Sequence, residues 1–364
     1  MCKGFDNIIN LSETCLNTFN HTFYECIKDN DGIKSILRKL MGSWSLFILL
    51  FGALGNLLTL LAIPHAAKQK RHGLDRNYQT TTVFVLHLAL VDLLCSLVLG
   101  PIYASTYLPE LWPWGSTTCK MVFPITVSVL FVDWISLSFV ALSRYINLTK
   151  PVLWSNFCEN RLNLGLIIGF IWISGGITAI LYILEPRTIF GWDCESGQCS
   201  KIKTSNEKKL NWLAIVGLFI PIVMIVFSYA GIFFHVRQTS KYLRADIGSS
   251  SHRFDERELK MTWSILVVFF CYIFCAAPHI ILVVLDQKAS YQWIIGNAPY
   301  LMLFIANFLV YSYQNEQYKK AFSDYLKMLK YLLSNGSLSD YRSSHNEESI
   351  RLNNFRKPPK ETVC

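Results

Sequence analysis

Residues 119–145 read CKMVFPITVSVLFVDWISLSFVALSRY. Between Lys120 and Arg144 the only Asp, Glu, Lys or Arg is Asp133. At about 1.5 Å per helical residue this run can cross a hydrocarbon core of roughly 30 Å. Backbone groups left unpaired there would cost several kcal/mol each, so the run must be helical. Six more runs share its character, and with it they fall at 43–64, 81–103, 120–143, 163–184, 211–234, 261–285 and 291–313. The first run and the fourth to seventh carry no Asp, Glu, Lys or Arg, and the second carries only Asp92. The composition agrees. Of 364 residues, 52% are hydrophobic and 16% charged, against about 25% charged in soluble domains. The fold class expected is an all-α membrane protein, a seven-transmembrane helix bundle.

An odd number of spans puts the termini on opposite sides. With the N-terminus outside, 22 of the 34 Lys and Arg fall in cytoplasmic segments, as the positive-inside rule requires. The triplets Asn10-Leu-Ser12 and Asn20-His-Thr22 are glycosylation acceptors in the outer tail. We therefore read 1–42 as an extracellular glycosylated tail and 43–313 as the bundle, in the plasma membrane. The net charge of +9 complements anionic inner-leaflet lipid, and no basic patch for nucleic acid is present. After Tyr313, Phe322, Tyr325, Leu326, Leu329 and Leu333 recur at helical spacing among Lys319, Lys320, Lys327 and Lys330. That pattern predicts an amphipathic eighth helix over 314–333, lying on the membrane. Residues 334–364 have the composition of a disordered tail. The chain ends Glu361-Thr-Val-Cys364, a segment suited to strand addition on a PDZ-type domain. Six cysteines, Cys2, Cys15, Cys26, Cys119, Cys194 and Cys199, fall outside, where disulfides form.

The spans also carry particular residues at particular places. Gly55-Asn56 lies in the first and Leu88-Ala-Leu-Val-Asp92 in the second; Cys119 and Ser143-Arg144-Tyr145 mark the ends of the third. Trp172 follows in the fourth, Pro221 and Tyr229 in the fifth, Pro278 in the sixth and Asn307-Phe-Leu-Val-Tyr311 in the seventh. In this order they resemble a rhodopsin-type (class A) G-protein-coupled receptor over roughly 43–325. The Gly-Trp-Asp-Cys194 loop and the cytoplasmic ends resemble, within that class, the melatonin-like and invertebrate moody-type group.

The resemblance implies roles. Cys119 would pair with Cys199 or Cys194, with Cys199 preferred. Arg144, flanked by Ser143 and Tyr145, would be the switch that meets a heterotrimeric G protein, an inhibitory type by analogy with the relatives. Glu258 would restrain it, and Tyr229 and Tyr311 would close around it. Ser143 stands where the family usually has an acid, so one restraint is lost and basal activity should rise. Asp92, Asp133 and Asn307 match a sodium site, with Asp133 where Ser is usual; no other cofactor is implied. The family Trp before Pro278 is Ala276, the usual Phe is Tyr272, and Phe308 replaces a Pro, so the seventh helix is expected to lose its kink. Tyr103, Thr126, Leu130, His279, Trp293 and Asn297 match pocket positions. Thr126 stands where amine receptors carry Asp, which argues for a neutral, apolar or lipid-like small ligand instead. No Lys lies between Ala289 and Tyr318 for a retinal Schiff base.

Two rival readings deserve comparison. A non-signalling or scavenger-type receptor on the same fold would explain the departed switch residues. A seven-span membrane zinc hydrolase would need three convergent ligands; His87, Asp92, Asp133 and His279 are available, but no His lies in the seventh span. No enzyme activity is expected.

Overall fold

The computed structural model describes residues 32–69, 76–108, 112–185, 189–193, 198–203, 207–245, 252–284, 290–314 and 316–335. Within them lie α1 (Gly32–Gln69), α2 (Arg76–Tyr107), α3 (Gly115–Thr149), α4 (Pro151–Glu159) and α5 (Arg161–Ile183). A hairpin of β1 (Ile189–Asp193) and β2 (Gln198–Lys203) precedes α6 (Glu207–Ala245) and α7 (His252–Val284). The chain continues through α8 (Ser290–Leu301), α9 (Leu303–Gln314) and α10 (Glu316–Asn335). Among the described residues six stretches are long and apolar enough to cross a membrane: Ser35–Ala67, Thr82–Tyr107, Gly115–Thr149, Arg161–Ile183, Phe219–Gln238 and Ile294–Tyr313. The shorter apolar stretch Leu266–Leu282 of α7 is the remaining crossing. Seven spans form the bundle.

The third span is its axis. From Val132 to Ser138 every residue of α3 is buried, because this helix is surrounded by α2, α5, α6 and α7. By contrast α5 buries only Ile171, Gly175 and Tyr182 and turns Leu162, Leu166, Phe170, Ile173 and Ile177 outward. Both helices are apolar all round, and a membrane allows that because lipid accepts the outer face. Where α5 meets α3, a Cβ on Gly175 would strike the Val132 side chain. The Ser128 hydroxyl donates to the Gly175 carbonyl at 2.7 Å.

Three findings differ from the sequence-based expectations. The chain is not wholly helical, since β1 and β2 pair antiparallel with Trp192 opposite Cys199. Helices run past the apolar runs at both ends of several spans, because helical backbone continues into the polar layer at no cost once nucleated. The seventh span is continuous helix through Phe308, as the missing Pro there implies, yet it carries a break that was not expected. Without a Pro at 308 the span still divides, between α8 and α9 at Met302. At the break the Met302 amide donates to the Pro299 carbonyl at 3.0 Å, and the Met302 carbonyl accepts from the Ile305 and Ala306 amides, so the backbone tightens there without leaving these groups unpaired. The interruption has moved outward along the span.

α10 follows Gln314 closely and packs on α1 and α9. Tyr318, Ala321, Phe322 and Met328 form its buried stripe, while Leu326 and Leu333 are exposed. The tail from 336 onward, with Glu361–Cys364, and the acceptors Asn10 and Asn20 lie outside the described residues.

Candidate functional site

Three clusters occupy successive levels of the bundle. At the outer end, Cys119 and Cys199 form a disulfide with Cα atoms 5.2 Å apart; Cys194 lies outside the described residues. The bridge holds β2 on the start of α3, where Trp112 and Trp192 pack around it. Phe190 of β1 stacks on Phe123 of α3 with ring centroids 5.5 Å apart. The turn before α3 is fixed by two indoles. Trp112 donates to the Gly115 carbonyl at 2.7 Å, and Trp114 donates to Ser105 Oγ of α2 at 2.8 Å. Gly115 adopts φ 77°, which glycine enters without strain.

Beneath the hairpin Asn297 is the hub. It is fully buried on α8, with its Oδ1 2.7 Å from His279 Nδ1. Its Nδ2 donates to Gln198 Oε1 of β2 at 3.2 Å and to the Tyr107 hydroxyl at 3.4 Å. His279 stacks on Tyr300 at 4.5 Å, and Tyr103 stacks on Tyr107. Of the expected pocket residues, the structure therefore brings Tyr103, His279 and Asn297 together. Thr126 is half-buried on α3, Leu130 packs into the main core, and the Trp293 side chain lies outside the described residues. Two participants were not anticipated. Gln198 gave no signal, because a loop Gln one residue from a cysteine has no periodicity to read. Arg38 of α1 lies within electrostatic reach of the Tyr107 hydroxyl, and its Nε is buried without a hydrogen-bond partner among the described residues.

Midway down, Asn307 of α9 donates to Asp92 Oδ2 at 2.7 Å and to the Tyr272 hydroxyl at 2.9 Å. Tyr272 of α7 in turn donates to Asp133 Oδ1 at 3.2 Å. The two carboxyls are within hydrogen-bonding reach of each other. Asp92, Asp133 and Tyr272 are fully buried and Asn307 nearly so. Asp92 Oδ1, Asp133 Oδ2 and Asn307 Oδ1 have no partner among the described residues. Two carboxylates so close cannot both stay ionised in a dry site, so a proton or a cation must lie between them. Carboxylate and amide oxygens left unclaimed are the donor type a small hard cation takes. Below this level Asn56 ties α1 to α9, donating to the Phe304 carbonyl at 2.8 Å.

At the cytoplasmic level Arg144 is 1% exposed, among the largest fully buried side chains. Its charge reaches the hydroxyls of Tyr229 on α6 and Tyr311 on α9. Ser143 spends its hydroxyl on the Val140 carbonyl at 2.7 Å. Tyr145 lies over Gly231, where any Cβ would strike its ring, and meets Phe227 edge-on. Glu258 belongs to α7, and its side chain lies outside the described residues. Among the described residues no group of three His, Cys, Asp or Glu could hold a metal, and His87 instead meets Trp172 edge-on.

Comparison with known proteins agrees with this architecture. The chain is 26% identical over 326 residues to protein trapped in endoderm-1 of Drosophila melanogaster, covering 82% of this chain and 81% of that one. It is 24% identical to melanopsin of Phodopus sungorus (84% and 67% covered) and 21% identical to 5-hydroxytryptamine receptor 4 of Homo sapiens (81% of each). The fold matches the crystal structure of squid rhodopsin with a TM-score of 0.65 at 20% identity, covering 79% of this chain and 80% of that one. The family model of the 7 transmembrane receptor (rhodopsin family) matches residues 55–331. A receptor rather than an enzyme is what that match describes, and the chain belongs to the rhodopsin family of seven-transmembrane receptors.

Proposed function

We propose that the protein is a plasma-membrane receptor, N-terminus outside, that couples an extracellular ligand to a heterotrimeric G protein of the inhibitory type and signals appreciably without ligand. The observation that carries this is the buried Arg144 beside Tyr229 and Tyr311, with Ser143 bonded to its own helix where a restraining acid would stand. With no carboxylate at 143, the resting state lacks one partner for the buried Arg144, and the two-state equilibrium shifts towards the active form by the interaction that is lost. The test is ligand-free nucleotide exchange across a panel of G proteins, wild type against Arg144→Ala at matched surface expression. Basal exchange that the substitution abolishes supports coupling and identifies the G protein. Silence in both removes the basal activity and favours the non-signalling reading.

The ligand reading rests on the outer cluster. Its side chains are aromatic or amide, and Thr126 offers no carboxylate, so an apolar body with a hydrogen-bonding group for Asn297 and His279 fits best. Arg38 favours a second reading, in which a ligand carries an anionic head at the edge of this cluster. Comparing a long-chain alcohol with the matching acid separates the two. The carboxylate cluster is proposed to hold sodium, through Asp92, Asp133 and Asn307. Glu361–Cys364 is proposed to engage a PDZ-type domain, and Asn10 and Asn20 to carry glycans.

A further inference from the structure

Arg144 is buried, so nothing outside the bundle reaches it until a neighbouring helix gives way. Of the four helices around α3, α7 packs on it least among the described residues and leans instead on α8 and α9. Its outer end is pinned there. His279 Nδ1 meets Asn297 at 2.7 Å and the His279 ring stacks on Tyr300, and a Cβ on Gly296 would strike the Leu282 side chain. Pro278 lies inside the helix one residue earlier and withholds an N–H from its ladder, so the helix bends there more readily than elsewhere. α7 is therefore anchored above a proline and lightly held on its cytoplasmic side.

Six residues from Pro278 towards the cytoplasm stands Tyr272. Its hydroxyl donates to Asp133 Oδ1 of α3 at 3.2 Å and accepts from Asn307 Nδ2 of α9 at 2.9 Å. All three side chains are buried, so pulling them apart leaves polar groups unmade away from water. Two ring contacts accompany the bond: Tyr272 meets Trp134 edge-on at 5.5 Å, and Phe269 stacks on Tyr229 of α6 at 6.4 Å. Rings lose dispersion gradually as they slide, whereas a hydrogen bond weakens steeply once its geometry is spoiled. Position gives this bond leverage. Eleven residues separate Asp133 from Arg144 on α3, and the same length of α7 beyond Tyr272 lies roughly three times as far from Pro278 as Tyr272 does. A separation of about 1.5 Å at Tyr272 therefore becomes roughly 4 Å at the level of Arg144.

We propose that Tyr272 is a latch: its hydroxyl on Asp133 holds α7 against α3 at mid-membrane, and this bond must open before Arg144 is uncovered. Tyr272 is a positioning residue, acting on Arg144 through the tilt of α7. The restraint that Ser143 cannot supply beside Arg144 is supplied about 16 Å deeper, by the two residues that stand in place of the usual Phe and Ser. The latch does not need a cation, since Asp133 Oδ1 accepts the hydroxyl whether the carboxyl pair holds an ion or shares a proton. Its command of signalling rests on the coupling reading; the hold on α7 does not.

The experiment uses the full chain in phosphatidylcholine nanodiscs, without G protein, so failure of coupling cannot mask the result. Lys150, exposed just after α3, and Lys260 of α7 are replaced by a ketone-bearing amino acid and spin-labelled there, which leaves every cysteine in place. The distance distribution between the labels is measured by pulsed electron resonance. Tyr272→Phe should raise the ratio of longer to shorter distances about three- to tenfold, as the loss of one hydrogen bond does. Asp133→Ala removes the acceptor and should raise the ratio on its own; Tyr272→Phe added to it should then do less than in the wild type. Gly42→Val overpacks α1 on Leu108 at the outer edge of the bundle; it serves as the destabilised control and should leave the ratio unchanged. An unchanged ratio in either folded latch variant, an equal rise in Gly42→Val, or an undiminished effect of Tyr272→Phe in Asp133→Ala overturns the proposal. Basal nucleotide exchange reads the coupling separately, and Tyr272→Phe should raise it in step with the distance. A distance shift with no exchange keeps the latch and removes the coupling reading.

Discussion

At the scale of single residues, Tyr272 joins what the sequence presents as separate oddities. It stands where the family usually has Phe, and Asp133 stands where Ser is usual; in the structure one hydroxyl links Asp133 to Asn307. Tyr272→Phe keeps the ring against Trp134, which it meets edge-on at 5.5 Å, and removes the donor to Asp133 Oδ1, while Asn307 keeps its bond to Asp92. A loss of about 1–3 kcal/mol is expected, read as a lower melting temperature of the detergent-solubilised receptor. If the melting temperature holds, the bridge contributes nothing. The cation reading has its own check. A ligand present at about 100 times its Kd stabilises by about 2.7 kcal/mol, so sodium chloride should raise the melting temperature above that in choline chloride. Asp92→Asn or Asp133→Asn should cancel the difference; identical behaviour in both salts would assign the pair a shared proton instead. The two carboxylates were legible in the sequence because a charge inside an apolar run stands out. Tyr272 stood out only as a departure from Phe, since nothing in a sequence shows that its hydroxyl is bonded to both Asp133 and Asn307.

At the scale of elements, the spans were readable because about twenty apolar residues have few alternatives, and the hairpin was not, because strands of five and six residues carry no comparable signal. The break at Met302 illustrates a subtler miss. No residue type at 302 marks it, since a Met in an apolar run reads as helix, and the tightened turn is visible only in its hydrogen bonds. Phe308 has a use of its own, lying where α1 comes closest: a Cβ on Gly55 would strike its ring. It also packs against Phe322 of α10 at 5.7 Å. Gly55→Val should therefore destabilise by roughly 1–3 kcal/mol through overpacking, and Phe308→Ala in the same chain should recover part of that loss. Non-additivity of the two in a thermal-shift cycle checks the contact. Additive losses would show that the helices simply move apart.

At the scale of the whole molecule, the charge asymmetry supports the proposed orientation, and glycans on Asn10 and Asn20 would report on it. Asn10→Gln with Asn20→Gln should remove the mobility shift that an N-glycosidase produces on receptor from intact cells. A shift that survives both substitutions would place the glycan elsewhere and weaken the assigned orientation. The outer face holds a further consequence. Gln198 is tethered beside a disulfide and accepts a hydrogen bond from the same Asn297 amide that a ligand would seek. Any ligand for that amide competes with a rival at fixed, high local concentration, and its apparent affinity is scaled by the fraction of time the hairpin stands aside. Its observed association rate should then climb with concentration only until hairpin lifting becomes the slow step, and level off there. Gln198→Ala should make that curve steeper and nearly straight, so the receptor's outer loop acts as a clock on recognition as well as a cover.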